Sequence, residues 1–436
     1  FIHGARVTPV RLSTMDATAI VSELALKARA ASRSLSTATG DQRSQALREI
    51  ADEIDRTSDF ILAANAEDMA RAKSENMHPQ MQDRLLLTAD RIKGISSGVR
   101  QVAALENPLG RVIREKDLPN GLHLEQRTVP FGVVGMVYEA RPNVSVDAAV
   151  ILLASGNAAL LRGSSSAASS NAALLKVMRD GLAKTSISPE VIQLVPSDDR
   201  ATVKALLHAR GLVDLVIPRG SASLIRMVVD EATVPTIETG AGVCHVYIDE
   251  FADLSIALPI LINSKTHRPS VCNAAETLLV HSKVAQKFMP VALQALKDAG
   301  VILHCDKQTL EIAGKNNIEA TLASDENWCT EYGVLEMNVG IVNSVDEAID
   351  HIAKFGTKHT EAIVTESREV SDRFIAHSDC AAVMVNTSTR FTDGEQMGFG
   401  AEIGISNQKL HARGPMGLEA MTTTTWIVTG SGQIRS

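Results

Sequence analysis

Five cysteines are the first candidates for chemistry in this chain: Cys244, Cys272, Cys305, Cys329 and Cys380. No two form a C-x-x-C pair, which excludes a zinc ribbon and a thioredoxin-type dithiol. Their odd number and wide spacing argue against a secreted disulfide framework, so the thiols are expected to be free. A free thiol becomes a nucleophile where its surroundings favour the thiolate. Cys272 has the most suggestive surroundings, in the run Arg268-Pro269-Ser270-Val271-Cys272-Asn273-Ala274-Ala275-Glu276. Pro269 keeps its predecessor out of helical geometry, and a strand follows, so the cysteine sits on a short irregular connector. Lys265, His267 and Arg268 lie just upstream, and positive charge there is expected to lower the thiol pKa. For the other four cysteines the role of small packing residue is expected. Two polar clusters accompany them. Arg141-Pro142-Asn143 reads as a turn in which Asn143 can cap a helix, and the serines of Leu161-Arg162-Gly163-Ser164-Ser165-Ser166 can cap another.

The elements that must position these residues change character along the chain. Up to about Lys73 the pattern is helical, with Asp41 a candidate cap for the helix carrying Leu47, Ile50, Ala51 and Ile54. Arg111 to Val129 reads as two extended runs around Pro119-Asn120-Gly121, a hairpin that projects from the body. From Phe131 strands and helices alternate: strands at Val133–Tyr138, Ala158–Leu161, Val191–Val195 and Val213–Ile217, and helices at Val144–Ala154, Ser166–Arg179, Thr202–Ala209 and Ser221–Asp230. Repeated βα units imply a parallel sheet covered on both faces, an architecture that binds nucleotides at strand C-terminal ends. A second βα series runs from Phe251 to about Asn386, with strands at Glu276–His281, Val339–Val342, Ala362–Thr365 and Ala381–Val385 and a helix at Val345–Lys354. Met421–Thr429 reads as a Thr-rich terminal strand. Gly240-Ala241-Gly242 starts like a dinucleotide fingerprint but lacks its third glycine, so a simple Rossmann dehydrogenase signature fails.

Composition narrows the function further. The 436 residues fit two or three units at roughly 100–200 residues each, and 45% apolar against 22% charged residues excludes global disorder. A net charge of −8 leaves no basic excess for a phosphate backbone, so nucleic acid is not expected as a partner. The richest apolar run, Ala148–Leu161, is broken by Ser155-Gly156-Asn157 and falls short of the ~18–20 residues that span a bilayer. No membrane association is expected, and the cytosol is the expected compartment. Phe1–Thr14 has no signal-peptide pattern and is expected to be a tag or an upstream extension.

Six stretches carry a more specific resemblance: VPFGVVGMVYEARPNVSVDAA (129–149), VDLVIPRGS (213–221), GVCHVYID (242–249), RPSVCNAAETLLV (268–280), VNTSTRFTDGEQMGFGAEIGIS (385–406) and QKLHARGPMGLEAMT (408–422). By these, from about Asp16 to Arg435, the chain resembles the aldehyde dehydrogenase superfamily, and within it the branch that reduces L-glutamyl 5-phosphate in proline biosynthesis. The resemblance implies an α/β fold of two Rossmann-like βα domains with a small β oligomerisation flap. It divides the chain into a cofactor-binding domain (15–110 and 130–250), a catalytic domain (251–390), and a flap with C-terminal strand (111–129 and 405–436). An exposed strand edge invites pairing with a second subunit, so a dimer or tetramer is expected.

The same resemblance implies roles. Cys272 matches the family nucleophile, which would attack the γ-carbonyl, release phosphate and form a thioester. Asn143 matches the oxyanion asparagine, with the Cys272 backbone N–H as the second donor. Hydride transfer would then give L-glutamate 5-semialdehyde, which cyclises spontaneously to 1-pyrroline-5-carboxylate. Arg162, Ser164 and Ser165 match the adenosine-ribose site. Many NAD-dependent relatives carry an acid near the position of Ser165, and no acid occurs between Arg162 and Asn171. A carboxylate would repel a 2′-phosphate, so NADPH is the expected cofactor. Gly220 and Ser221 match the pyrophosphate position, and Glu331 the glutamate on the nicotinamide ribose. Arg141, Lys265, Arg268 and Arg413 are the candidate contacts for the anionic substrate, undivided between phosphate and α-carboxylate. Glu238 stands near the water-activating glutamate of hydrolytic relatives, in an altered context, and is left out of the catalytic set. Glutamate 5-kinase, source of the labile acyl phosphate, is a candidate partner. The alternatives are a hydrolytic or CoA-acylating relative, and a silent scaffold, which would be expected to lack Cys272 or Asn143.

Overall fold

The computed structural model describes residues 16–435; the expectation for residues 1–14 lies outside them. The chain opens with five helices, α1 (Ala17–Thr37), α2 (Gly40–Arg56), α3 (Ser58–Ser74), α4 (Pro79–Leu85) and α5 (Ala89–Ala103). Thr39, not Asp41, caps α2: its hydroxyl accepts from the Gln42 N–H, and the Gln42 side chain returns a bond to the Thr39 N–H. Gln42 completes a reciprocal box that a residue already inside the first turn cannot make.

Strands β1 (Val112–Asp117) and β2 (His123–Pro130) form the expected hairpin. Then β3 (Val133–Tyr138), β4 (Ala158–Arg162), β5 (Ile192–Leu194) and β6 (Leu215–Arg219) make a parallel sheet in the order β5-β4-β3-β6. Helices α6 (Pro142–Ala154), α7 (Ala168–Leu182), α8 (Ala201–Leu207) and α9 (Ala222–Glu231) connect and follow its strands. Every residue of β3 and β4 is buried, as a strand covered on both faces requires. The order reverses beside β3, which makes its C-terminal end a crevice between outgoing loops.

The second sheet is also parallel. It contains β7 (Cys244–Ile248), β8 (Ala275–His281), β9 (Ile302–Cys305), β10 (Thr321–Leu322), β11 (Glu336–Val342), β12 (Thr360–Val364) and β13 (Ala382–Val385), in the order β10-β9-β11-β8-β7-β12-β13. The expected domain boundary at 251 falls after β7, yet β7 pairs with β8 and β12 inside this sheet. The second unit therefore takes in residues from 244 onward. A short antiparallel pair, β14 (Ile405–Ser406) with β15 (Gly414–Pro415), follows. Finally β16 (Thr422–Thr429) pairs along the whole of β2.

The expected flap is thus narrower than 405–436. Ile403, Ala412, Met416, Leu418 and Met421 are buried in the first unit's core, so only β16 joins the three-stranded sheet β1-β2-β16. That sheet leaves two edges open and exposes Val112, Ile113, Trp426 and Val428. Among the described residues no helix is long and apolar enough to cross a membrane.

One close approach sets the helix layer on the first sheet. A Cβ on Gly181 of α7 would lie 2.9 Å from the Ile50 Cα and 3.0 Å from the Glu49 carbonyl oxygen of α2. Gly181→Ala should therefore lower stability by about 1–3 kcal/mol through overpacking. Gly98→Ala on α5, where a Cβ meets nothing within 4 Å, should raise it by roughly 0.5–1 kcal/mol through helix propensity. Denaturant unfolding of both variants checks the pair, and equal shifts would refute the contact.

Candidate active site

The C-terminal ends of the first sheet's strands face the N-terminal ends of the second's, and a cavity of about 1050 Å³ lies between them. Glu139, Arg141 and Asn143 follow β3, and Gly220 and Ser221 follow β6. Ala241 enters from the crossing before β7, and the second unit supplies Cys272 before β8 and Glu331 before β11. The expectation of a site at strand C-terminal ends thus describes half of this cavity; the nucleophile candidate approaches from the opposite polarity.

Close backbone packing locks the Cys272 connector. A Cβ on residue 242 would sit 1.4 Å from the Cys272 carbonyl oxygen, so only glycine fits there. The same carbonyl accepts from Cys244 Sγ at 3.2 Å. Asn273 Nδ2 donates to the Thr392 carbonyl at 2.9 Å, tying the connector to the segment that carries Arg390. Asn143 lines the same cavity. It stands in the first turn of α6, where Arg141 holds the cap position, and its Nδ2 donates to Asp147 Oδ2 at 2.9 Å. One N–H of that amide is thereby fixed in direction and the other left over. Burial pushes the Asp147 carboxyl above its ordinary range, opposed by Arg219.

The electrostatics of the thiol differ from the expectation. Burial pushes Cys272 up to about 12, Glu331 and Glu402 push the same way, and Arg219 opposes them. The upstream basic residues do not offset this. Lys265 is fully buried with its Nζ 2.5 Å from Glu276 Oε2, and the other Glu276 oxygen accepts from the Gly333 N–H at 3.2 Å. Lys265 is therefore no substrate contact. It braces β8 against the loop bearing Glu331. Arg413 is likewise placed elsewhere, 2.8 Å from Asp379. Arg141 and Arg268 do line the cavity, joined by Arg219 and Arg390. Those two, with Glu402, were missed although they lie inside quoted stretches. Their signal was only that of any charged residue; what singles them out is where the loops after β6 and β13 bring them. Cys329, expected to pack, is exposed, whereas Cys244 and Cys305 are buried and Cys380 partly so.

The cofactor candidates fall into two places. Ser221 donates from its N–H (3.0 Å) and its hydroxyl (2.6 Å) to the Glu139 carboxylate, at the N-terminus of α9 and on the main cavity wall. Glu331 Oε1 accepts from the Gly242 N–H at 3.1 Å. Ser165 lines a separate cavity of about 470 Å³ with Arg71, Asn171 and Asp198. Ser164 caps the short turn Ser165–Ala167. The N-terminus of α7 is already occupied: Asp68 accepts from the Ser169 and Ser170 N–H groups. Arg162 is 8% exposed. It donates to the carbonyls of Gly163, Ser197 and Asp199 at 3.0–3.4 Å. It therefore ties the ends of β4 and β5 together. Glu238 does not line the main cavity; its backbone N–H donates to Gln408 Oε1.

Comparison with known proteins agrees with this geometry. Residues 8–312 match the model of the aldehyde dehydrogenase family. The chain is 52% identical, over 95% of its length and 98% of the relative's, to a gamma-glutamyl phosphate reductase of Thermobifida fusca (strain YX). It is 51% identical, over 94% of its length and 95% of the relative's, to one of Kineococcus radiotolerans. The crystal structure of the gamma-glutamyl phosphate reductase from Thermotoga maritima superposes with a TM-score of 0.93 at 42% identity, covering 95% of this chain and 100% of that one.

A raised thiol has a measurable signature. Alkylation of the Cys272 peptide in the free protein, followed by mass spectrometry, should climb about tenfold per pH unit between about pH 7 and pH 9, because the thiolate fraction is still far from saturation. Glu331→Gln keeps an acceptor for the Gly242 N–H and removes a charge, so it should raise the rate at fixed pH severalfold. A plateau near neutral pH would contradict the electrostatics described.

Proposed function

The chain belongs to the aldehyde dehydrogenase family, and within it to the gamma-glutamyl phosphate reductases of proline biosynthesis; from that membership we propose how its residues divide the reduction of L-glutamyl 5-phosphate to L-glutamate 5-semialdehyde and phosphate. The observation that carries the assignment is that Cys272 and Asn143, supplied by different sheets, line one cavity with six arginines around it. Cys272 sulfur bonds to the γ-carbonyl carbon as its S–H bond breaks, and the proton leaves on the departing phosphate. The remaining Asn143 N–H and the Cys272 backbone N–H receive the oxyanion, and such a donor is worth about 2.7–4 kcal/mol of barrier. The acyl C–O bond breaks, phosphate departs with its electron pair, and a thioester remains on Cys272. Of the six arginines lining the cavity, Arg141, Arg219, Arg268 and Arg390 are assigned to the phosphate and the α-carboxylate.

A dinucleotide would lie with Gly220 and Ser221 toward the pyrophosphate and Glu331 toward the nicotinamide ribose in the main cavity, and with Ser165 of the second cavity toward the adenosine ribose. When bound, the reduced nicotinamide supplies the hydride that converts the thioester to a thiohemiacetal, whose collapse returns the Cys272 sulfur. We assign NADPH as the cofactor because serine stands where a carboxylate would exclude the 2′-phosphate. Arg162 is the cation nearest this position in sequence, and its bonds to the β5 loop hold that loop in place. We also assign a cytoplasmic homo-oligomer, joined through the open β1-β2-β16 sheet, with glutamate 5-kinase as a candidate partner. Glu238 lies off the cavity, which favours acyl-phosphate chemistry over the hydrolytic alternative.

Two experiments test these assignments. With the semialdehyde and NADP, reduction of NADP should require phosphate or arsenate, and Cys272→Ala should abolish it; full turnover without either anion would overturn the acyl-phosphate assignment. Arg162→Ala should raise the NADPH KM far more than the NADH KM. Equal effects would reduce Arg162 to a loop tether.

A further inference from the structure

A cavity that receives a phosphate and a carboxylate has reason to hold arginines; it has no evident reason to hold half-buried carboxylates without counter-ions. Several line it. Most are committed: Glu139 to Ser221, Asp147 to Asn143, Asp393 to the N–H groups of Glu395 and Gln396, and Glu331 to Gly242. Glu331 and Glu402 each give one oxygen to a single backbone N–H, and Glu331 is assigned above to the cofactor, which leaves Glu402. One oxygen accepts from the Gly394 N–H at 2.9 Å, and among the described residues no lysine or arginine pairs with it. Burial and Asp393 push its carboxyl above the ordinary range, with the Gly394 N–H and Arg219 opposing. Its charge is felt at the Cys272 thiol, yet no hydrogen bond joins the two. Arg219 donates to the carbonyl of Ile403, the next residue, so a cation and an anion stand side by side on this wall.

We propose that Glu402 receives the α-ammonium of the glutamyl substrate, and so selects an amino-acid acyl phosphate over a plain one. The inference rests on the reaction assigned above and adds a group to it. The ammonium lies four bonds from the reacting carbon, roughly 5 Å in an extended chain. A carboxylate on the wall of the cavity that Cys272 also lines suits that reach. The half-buried setting leaves little water to screen the pair, which makes it selective.

The test compares two aldehydes in the phosphate-dependent reverse reaction: L-glutamate 5-semialdehyde and its deamino analogue 5-oxopentanoate. Glu402→Gln should lower kcat/KM for the amino aldehyde by at least about 30-fold, mainly through KM, while turnover of 5-oxopentanoate stays level or rises. That retained turnover also reports that the variant is folded. Glu402→Asp, which keeps the charge, should recover part of the preference. An equal fall in kcat for both aldehydes would make Glu402 a proton carrier and overturn the proposal, as would an unchanged ratio between them. Turnover by the unmodified protein that ignores phosphate would overturn the reaction assignment, and the proposal with it.

Discussion

The site depends on one steric constraint, the contact of residue 242 with the Cys272 connector. The main chain of Gly242 lies where no side chain can, against the Cys272 carbonyl. The stretch around it makes the crossing from the first sheet to the second, and it is tied at each step. Gly240 donates to the Ile405 carbonyl at 3.1 Å, Gly242 to Glu331 at 3.1 Å, and Val243 to Thr357 Oγ1 at 2.9 Å. One short backbone run thus touches the Cys272 connector, Glu331 and the approach to β12. The position of Cys272 relative to Asn143, which belongs to the other sheet, is set by that run. Packed backbone has little room to yield, which is what an oxyanion site requires of its donors.

The same enclosure explains the charge pattern. Burying Cys272 disfavours its thiolate, and nearby carboxylates add to the effect. A thiol held in this way is protected from adventitious electrophiles until a substrate is present. The arginines around the cavity show the complementary penalty: burial pushes Arg141 and Arg390 below their ordinary values. Cations left short of counter-charge in a half-buried space bind an incoming anion strongly. Lys265 and Glu276 illustrate the opposite solution. Their charges satisfy one another inside the second sheet, so they contribute rigidity and no recognition.

Much of the fold was legible because the alternation of apolar runs and helical spacing is a local property. The strand expected at Val133–Tyr138 matches β3 to the residue, and the others lie within a few positions. The hairpin was legible for the same reason: Pro119-Asn120-Gly121 specifies a turn by its own chemistry. What sequence could not supply was which sheet a strand joins. Cys244–Ile248 falls outside the strands expected from sequence, and its pairing with β8 and β12 places it in the second unit. Site residues divide in the same way. Cys272 and Asn143 stand in runs specific enough to be recognised, and the cavity contains both. Lys265 and Arg413 are basic residues in or beside the quoted stretches, and a sequence position says nothing of the carboxylates, Glu276 and Asp379, that the fold sets against them. Arg219, Arg390 and Glu402 carry no local mark, since their relevance arises from loops converging over long sequence separations.

The fate of an acyl group on Cys272 follows from what the cavity lacks as well as from what it holds. A thioester can be reduced by hydride or cleaved by water, and water needs a base to compete. The residue nearest in sequence to the hydrolytic glutamate of relatives, Glu238, is not among those lining the cavity. Its neighbours Thr239, Gly240 and Ala241 line the cavity in its stead. Glu331 and Glu402 do face inward, but each spends an oxygen on a backbone N–H that fixes its direction. Glu402 gains a cation when an amino-acid substrate binds, and a carboxylate paired with an ammonium is a weaker base than a free one. Substrate recognition and suppression of hydrolysis are then one effect: the charge that selects the substrate is, while the substrate is bound, the charge that cannot activate water.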